Sequence, residues 1–252
     1  MSNHDFNDLL EKLERGELRS AYCENGEWRP NPHVKEAIIQ AFRQGSLQQM
    51  GDYVDKHTLP IRQFRAEDGV RIVPSGSAVR RGSYIARGVI IMPPSYINIG
   101  VYVDEGSMVD SHVLLGSCAQ IGKRVHLSAG VQIGGVLEPI GQTPVVIEDD
   151  CFIGAGSVIV EGILVKKGAV IAPGVVLSRG TPVYDCVHEK ILHSGHHIPE
   201  YAVVIPGTRP LDSNGTTRLW AHKLGLSAQC ALIVKYRDEK TNAGLTLENA
   251  LR

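Results

Sequence analysis

Residues 97–127 read INIGVY VDEGSM VDSHVL LGSCAQ IGKRVH L when cut in sixes. Each block opens on Ile, Val or Leu. A helix repeats every 3.6 residues and a strand every two, so neither element explains an aliphatic residue that returns every six. The beat extends in both directions. Toward the N-terminus it runs back through Ile91, Ile85 and Val79, and beyond Leu127 it reaches Ile133. After one break it resumes at Ile147 and passes through Ile153, Ile159, Val165, Ile171, Leu177 and Val183. The fourth residue after each anchor is small or apolar: Ser83, Val89, Ser95, Val101, Ser107, Val113, Ala119, Val125 and Val131, then Cys151, Ser157, Ile163, Ala169, Val175 and Thr181. Gly commonly stands just before it, as at Gly82, Gly100, Gly130 and Gly156.

Six residues suffice for one short strand and one corner. The anchor and the small residue face inward, and Gly supplies corner dihedrals that other residues adopt at a cost. Three sides close a triangular coil of about eighteen residues, and such coils stack as a solenoid. The pattern therefore predicts a parallel β-helix with a continuous aliphatic column inside. Between Ile133 and Ile147 the beat is interrupted by GGVLEPIGQTPV, whose Pro139, Gly141 and Pro144 do not continue a regular coil. Residues 136–145 are expected to form a loop extruded from one corner, a device that often carries function in solenoids.

Outside the repeat, Phe6, Leu9, Leu10 and Leu13 have helical spacing, as do Val34, Ala37, Ile38, Ala41 and Phe42, which end at Gly45. Residues 24–32 read as a polar turn between two amphipathic helices, and residues 51–70 as a mixed connection. The expected organisation is a helical unit with its connection over 1–70, a β-helix over 71–184 and a capping segment over 185–252.

The bulk composition excludes several classes. Net charge is −1, from 26 Lys+Arg against 27 Asp+Glu, which gives no reason to expect nucleic acid or an anionic membrane as partner. No run of 18 apolar residues is present, and MSNHDFNDLLEKLERGE is unlike a signal peptide. The five cysteines are scattered, with no CxxC, which predicts a reduced, cytoplasmic protein. Outward positions mix Arg, Lys, Asp and His rather than flat rows of Thr, so a purely structural or ice-binding solenoid is not expected.

Several residues stand out. Asp110 follows the anchor Val109 and is expected to point outward. His112 occupies the next corner, and His126 is the last residue of its hexad. On pattern alone each is equally a solvated or structural residue, and so is Arg71. Cys118, in GSCAQ, reads as the small inward residue of its hexad, a buried hydrophobe rather than a nucleophile. HSGHH at 193–197 has no acidic or Cys partner at ligand spacing, so no metal site is expected.

Isoleucine-anchored hexads resemble those of the hexapeptide-repeat acyltransferases. The segments MVD (108–110), GSCAQIG (116–122), VHLS (125–128) and GGVLEP (134–139) resemble more narrowly the tetrahydrodipicolinate N-succinyltransferase family. GELRSAYCENGEWRP (16–30) and CALIVKYRDEKTNAGLTLENALR (230–252) resemble it too, so the likeness covers nearly the whole chain, with a shorter N-terminal unit than is usual. The resemblance implies a left-handed β-helix, against the general right-handed crossover rule. It also implies a homotrimer with sites between neighbouring prisms, an acyl-coenzyme A cosubstrate lying along the coils under the extruded loop, a small amino-acid-derived acceptor, and no permanently bound cofactor or metal.

By the same resemblance the Asp of MVD, Asp110, is the catalytic acid or base that contacts the acceptor, and Arg71, in VRIVP, contacts its carboxylates. His112 stands near a position usually held by Trp. For the donor, Ala155, Lys166, Lys167, Ala172 and Arg179 are the expected contacts, through backbone amides and basic side chains of the late coils. The sequence departs from the family in GAGSVIVEG (154–162): Gly156 and Val158 stand where Arg and Glu are usual, and the surviving Glu161 lies three residues on. Two readings therefore stay open. One is succinyl transfer from succinyl-CoA to tetrahydrodipicolinate in lysine and diaminopimelate synthesis. The other is a paralogue with a different acceptor or with acetyl-CoA, as in tabtoxin-type pathways.

Overall fold

The computed structural model describes residues 3–192, 197–211 and 216–237. Its centre is a left-handed parallel β-helix with three faces. The first face stacks the two-residue strands Arg71–Ile72, Ile90–Ile91, Met108–Val109, His126–Leu127, Phe152–Ile153 and Val170–Ile171. The second stacks Ala78–Val79, Tyr96–Ile97, Leu114–Leu115, Gln132–Ile133, Val158–Ile159 and Val176–Leu177. The third stacks Tyr84–Ile85, Tyr102–Val103, Gln120–Ile121, Val146–Ile147 and Leu164–Val165.

The six-residue beat is the inside of this prism. Every anchor from Val79 to Val183 is buried, most of them completely, and the small residue four places on is buried at every step before Thr181. Serines in that inner row still need partners, because an unpaired buried hydroxyl is costly. They find corner carbonyls: Ser95 Oγ donates to the Asp110 carbonyl (2.8 Å), Ser107 Oγ to Gly122 (2.7 Å) and Ser157 Oγ to Ala172 (3.1 Å). The alternation of Val and Ser along the column therefore costs no buried donor.

The interruption adds eight residues to one coil. His126 pairs with Phe152, 26 positions on, whereas Met108 pairs with His126 at 18. The extra chain leaves the second–third corner at Gly134–Gly135. There the backbone passes so close to the preceding corner that a Cβ on Gly135 would lie 2.5 Å from the Ser117 carbonyl oxygen and 2.6 Å from the Gly116 carbonyl carbon. Backbone cannot swing aside as a side chain can. Gly135→Ala is therefore expected to destabilise by about 1–3 kcal/mol, read as a fall of roughly 2–4 °C in Tm per kcal/mol. An unchanged Tm would show that the loop exit is free to shift.

Helix α1 (Asn3–Glu14) and helix α2 (Pro32–Gln44) turn Leu10, Leu13, Val34 and Ile38 onto the second–third corner, where Ile99 and Cys118 complete their cluster. Corner glycines make room for them: a Cβ on Gly82 would lie 2.7 Å from Leu10, and one on Gly100 2.7 Å from Ser20 Oγ. The expected polar turn at 24–32 is instead largely a β-hairpin, Ala21–Glu24 against Glu27–Pro30. Its two-residue loop is Asn25-Gly26, with φ of 52° and 81°, the turn that Asn-Gly favours. The strands are too short to show alternation. A second hairpin, Leu47–Met50 against Tyr53–Lys56, opens the presumed connection. The first hairpin lies on the third face, where Arg19 stacks 3.7 Å over Tyr102 and Trp28 Nε1 donates to Glu148 (2.9 Å).

Val183 keeps the six-residue step but does not continue the third face. Its strand, Val183–Asp185, pairs with Ala231–Ile233 and with Lys190–Leu192. Ile198 takes the place beyond Val165, and Val203–Val204 lie beyond Val170–Ile171. The long antiparallel pair Ala202–Pro210 and Ser227–Tyr236 then covers this end. Asp185 is buried here. Burial pushes its pKa up, but hydrogen bonds from His188 Nδ1 (2.9 Å) and Tyr236 Oη (2.8 Å) outweigh that and hold it below the usual carboxylate value. Among the described residues no helix is long and apolar enough to cross a membrane.

Candidate functional site

The corner between the first and second faces carries the sequence-predicted acid. Asp110 leaves the strand Met108–Val109 and is partly exposed. Its backbone is clamped: the amide donates to Leu127 (3.0 Å), and the carbonyl receives Ser95 Oγ (2.8 Å). One side-chain oxygen, Oδ1, receives the Ser111 amide at 2.7 Å. That bond holds the carboxylate, and Oδ2 keeps open acceptor capacity, with no hydrogen bond described to it. His112 follows at the same corner. It is exposed, in the left-handed region at φ 62°, and its amide donates to the Pro94 carbonyl at 2.7 Å. The structure thus brings Asp110 and His112 together on one rim.

Arg71 is exposed on the first face, in the column that continues through Ile90 to Met108. It lies two rungs before the Asp110 rung, roughly 10 Å at ~4.8 Å per rung. Two rungs beyond Asp110 the same corner is Ala155-Gly156, and the next is Ala172-Pro173-Gly174. Space outside Gly156 and Gly174 is open, with nothing within 4 Å of a built Cβ. Arg71, Asp110, His112, Ala155 and Ala172 therefore share one edge region, acidic in the middle and bare at its far end.

The other expected donor contacts lie elsewhere on the chain. Lys166 and Lys167 turn the third–first corner. Lys167 there lines a cavity of about 220 Å³ with Arg19, Trp28 and Glu148. Arg179 stands at the second–third corner, its amide donating to Glu161 Oε2 at 2.8 Å. No single surface of the chain holds all five. Val158 faces out from the second face between Gln132 and Val176. Glu161, at the second–third corner, is separated from the Asp110 rim by that whole face.

One expectation needs correction in detail. Cys118 is buried, as expected, but the inward residue of its hexad is Ala119. Cys118 is the corner residue, at φ 73°, and faces Ile38 and Ile99 of the helical cluster. Burial pushes its thiol up to about 11, which suppresses the nucleophilic thiolate. His126 stacks on Phe152 across the first face, with ring centroids 4.9 Å apart, a packing role. Of HSGHH, residues 193–196 lie outside the described residues, and His197 is exposed. Lys35 was missed, because one Lys beside Val34 in an amphipathic helix reads as solvated. It is fully buried.

The comparisons with known proteins agree with this architecture. A family model described as the N-terminal part of tetrahydrodipicolinate N-succinyltransferase matches residues 3–44, and a hexapeptide repeat of succinyltransferases matches 144–179. A solved structure from Campylobacter jejuni, described as a 2,3,4,5-tetrahydropyridine-2-carboxylate N-succinyltransferase, shares the fold at TM-score 0.54 and 18% identity, covering 92% of this chain and 63% of that one. The 2,3,4,5-tetrahydropyridine-2,6-dicarboxylate N-succinyltransferase of Nitrobacter winogradskyi is 44% identical over 95% of this chain and 86% of its own length. That of Idiomarina loihiensis is 44% identical over 97% and 87%. With that identity along nearly its whole length, the chain belongs to the 2,3,4,5-tetrahydropyridine-2,6-dicarboxylate N-succinyltransferase family.

Proposed function

We propose that the protein transfers the succinyl group of succinyl-CoA to the nitrogen of tetrahydrodipicolinate, the amine freed when water opens the cyclic imine. The observation that carries this is the first–second edge: an oriented carboxylate with one open oxygen, an Arg two rungs to one side, and a bare Ala-Gly edge on the other. The amine must lose a proton as it attacks the thioester carbon, and Asp110 Oδ2 accepts or orients that proton. The new C–N bond forms, the C–S bond breaks, and coenzyme A leaves as a thiolate that takes up a proton. Attack is direct, without an enzyme nucleophile. Arg71 suits a carboxylate of the acceptor through its bidentate fork.

The open corner at Ala155 and Ala172 lets a thin pantetheine arm approach backbone amides. Lys166, Lys167 and Arg179, on other corners, suit the same donor when it is approached from a neighbouring copy. This supports the homotrimer, a heterologous ring closed by threefold symmetry, and interfacial sites. The reading places the protein in the cytoplasm, where the cosubstrate is made.

A second reading keeps weight because of Val158, Gly156 and His112. An uncharged second face in place of Glu fits a paralogue that takes another acceptor or acetyl-CoA. Steady-state kinetics with tetrahydrodipicolinate as acceptor separate the two. We expect turnover with succinyl-CoA and a kcat/KM at least tenfold lower with acetyl-CoA, since a donor site that pairs a carboxylate gains more than ~1.4 kcal/mol over one that does not. No turnover with tetrahydrodipicolinate sinks the first reading, and preference for acetyl-CoA favours the second.

A further inference from the structure

Helix α2 presents an apolar stripe, Val34, Ala37, Ile38 and Ala41, to the corner of the prism. Within that stripe Lys35 is sealed from solvent. Its ammonium meets no carboxylate among the described residues. It donates instead to two main-chain carbonyls of the inserted loop, Gln142 at 2.5 Å and Pro139 at 3.5 Å. Burial pushes its pKa below the ordinary lysine value. A buried cation without an anionic partner is expensive unless its protons are all directed to good acceptors. Here the nearer acceptor, the Gln142 carbonyl, receives no other described hydrogen bond, while the Pro139 carbonyl also accepts the Gln142 amide at 3.1 Å.

Apart from buried Val136 and Val145 and the backbone bonds that hold its two ends to neighbouring coils, the loop has few other ties. Between the strands ending at Ile133 and starting at Val146 it forms no regular element of its own. Leu137 rests on the helical cluster, Thr143 Oγ1 reaches the Trp28 carbonyl at 3.4 Å, and Gln142 Nε2 donates to the Glu161 carbonyl at 2.9 Å. Lys35 supplies the only charged hydrogen bonds among these ties, and they fall on the turn at the loop's far end. Charge-assisted bonds are the stronger kind.

We propose that Lys35 is a positioning residue, which pins loop 134–145 to the N-terminal helices and so holds the donor-side cover of the acyltransferase in its binding shape. The pin itself rests on the geometry above. Its catalytic consequence rests on the reading that this loop, which leaves the second–third corner, covers the coenzyme A thioester held on the first–second edge of a neighbouring copy.

The test is Lys35→Met in the full chain, nearly equal in length and without a donor, read by hydrogen exchange and by kinetics. Loop amides 134–145 are expected to exchange at least tenfold faster while the coil amides keep their protection. KM for succinyl-CoA is expected to rise about tenfold, with KM for the acceptor unchanged and kcat within about threefold. Lys35→Gln keeps one donor without the charge or the reach and should give an intermediate change; it carries the test if Lys35→Met does not fold. Unchanged loop exchange overturns the pin. Faster exchange with an unchanged KM for succinyl-CoA overturns its coupling to the donor. If the wild-type protein fails to use succinyl-CoA at all, the functional reading falls, and the exchange experiment still decides the pin.

Discussion

Ile121→Ala is expected to destabilise the protein by about 2–5 kcal/mol, the range for removing most of a fully buried aliphatic side chain. Ile121 is wholly buried at mid-column, paired in register with Val103 on one side and Ile147 on the other. Coils above and below fix its backbone through continuous parallel hydrogen bonds, so the walls cannot collapse into the space left. Tm should fall by roughly 2–4 °C for each kcal/mol lost. Leu114→Ala removes a side chain of the same size from an outward, half-exposed position on the second face. Measured at the same protein concentration, its loss should be well under half as large. Equal losses at 114 and 121 would show that the six-residue beat does not separate inside from outside. Because a coil contacts only its neighbours, faster hydrogen exchange in the Ile121 variant should centre on the rungs of Val103, Ile121 and Ile147.

The same distinction explains what could be read from the chain beforehand. The column was legible because each rung repeats one demand, an aliphatic residue and a small one at fixed spacing, and seventeen repetitions leave little room for accident. Val183 shows the limit. It satisfies the beat and is buried, yet pairs with the C-terminal strands while Ile198 takes the next third-face position. Spacing records that a residue is inside, and only pairing records inside what. The hairpin at Asn25-Gly26 was missed because two strands of four residues show too little alternation against a strong turn signal. Lys35 was invisible for a different reason: its partners are carbonyls of a loop more than a hundred residues away, and backbone acceptors leave no mark in a sequence. The partly exposed position of Asp110 was legible from its phase relative to Val109, while the role proposed for it comes from the family likeness. The dispersal of Lys166, Lys167 and Arg179 over two further corners follows from which side of the triangle each hexad occupies, which needs a count of rungs from a fixed start and the length of the insertion.

Asp110→Asn is expected to lower kcat by about two to four orders of magnitude, the range for loss of a positioned base, with KM for either substrate changed little. The substitution is nearly isosteric. Asn keeps an oxygen for the Ser111 amide at the place of Oδ1, and the Ser95 and Leu127 bonds are to main chain and survive. Tm should therefore stay within about a degree, since a surface change that breaks no buried contact is worth under ~0.5 kcal/mol. What is lost is the acceptor at Oδ2, because an amide there presents N–H and repels the proton it must take. Asp110→Glu keeps the charge but carries the carboxylate one methylene beyond its clamp, so activity should recover only in part. His112→Ala provides the comparison that assigns the proton. His112 shares the rim and could serve in place of the carboxylate, yet its backbone is held by Pro94 and its ring is exposed, with no bond to orient it among those described for the chain. Its removal should cost kcat less than about tenfold, as expected for a side chain outside the proton path. If instead His112→Ala abolishes turnover while Asp110→Asn leaves it near wild type, the base is the imidazole, and Asp110 is a corner residue whose carboxylate serves the Ser111 turn alone.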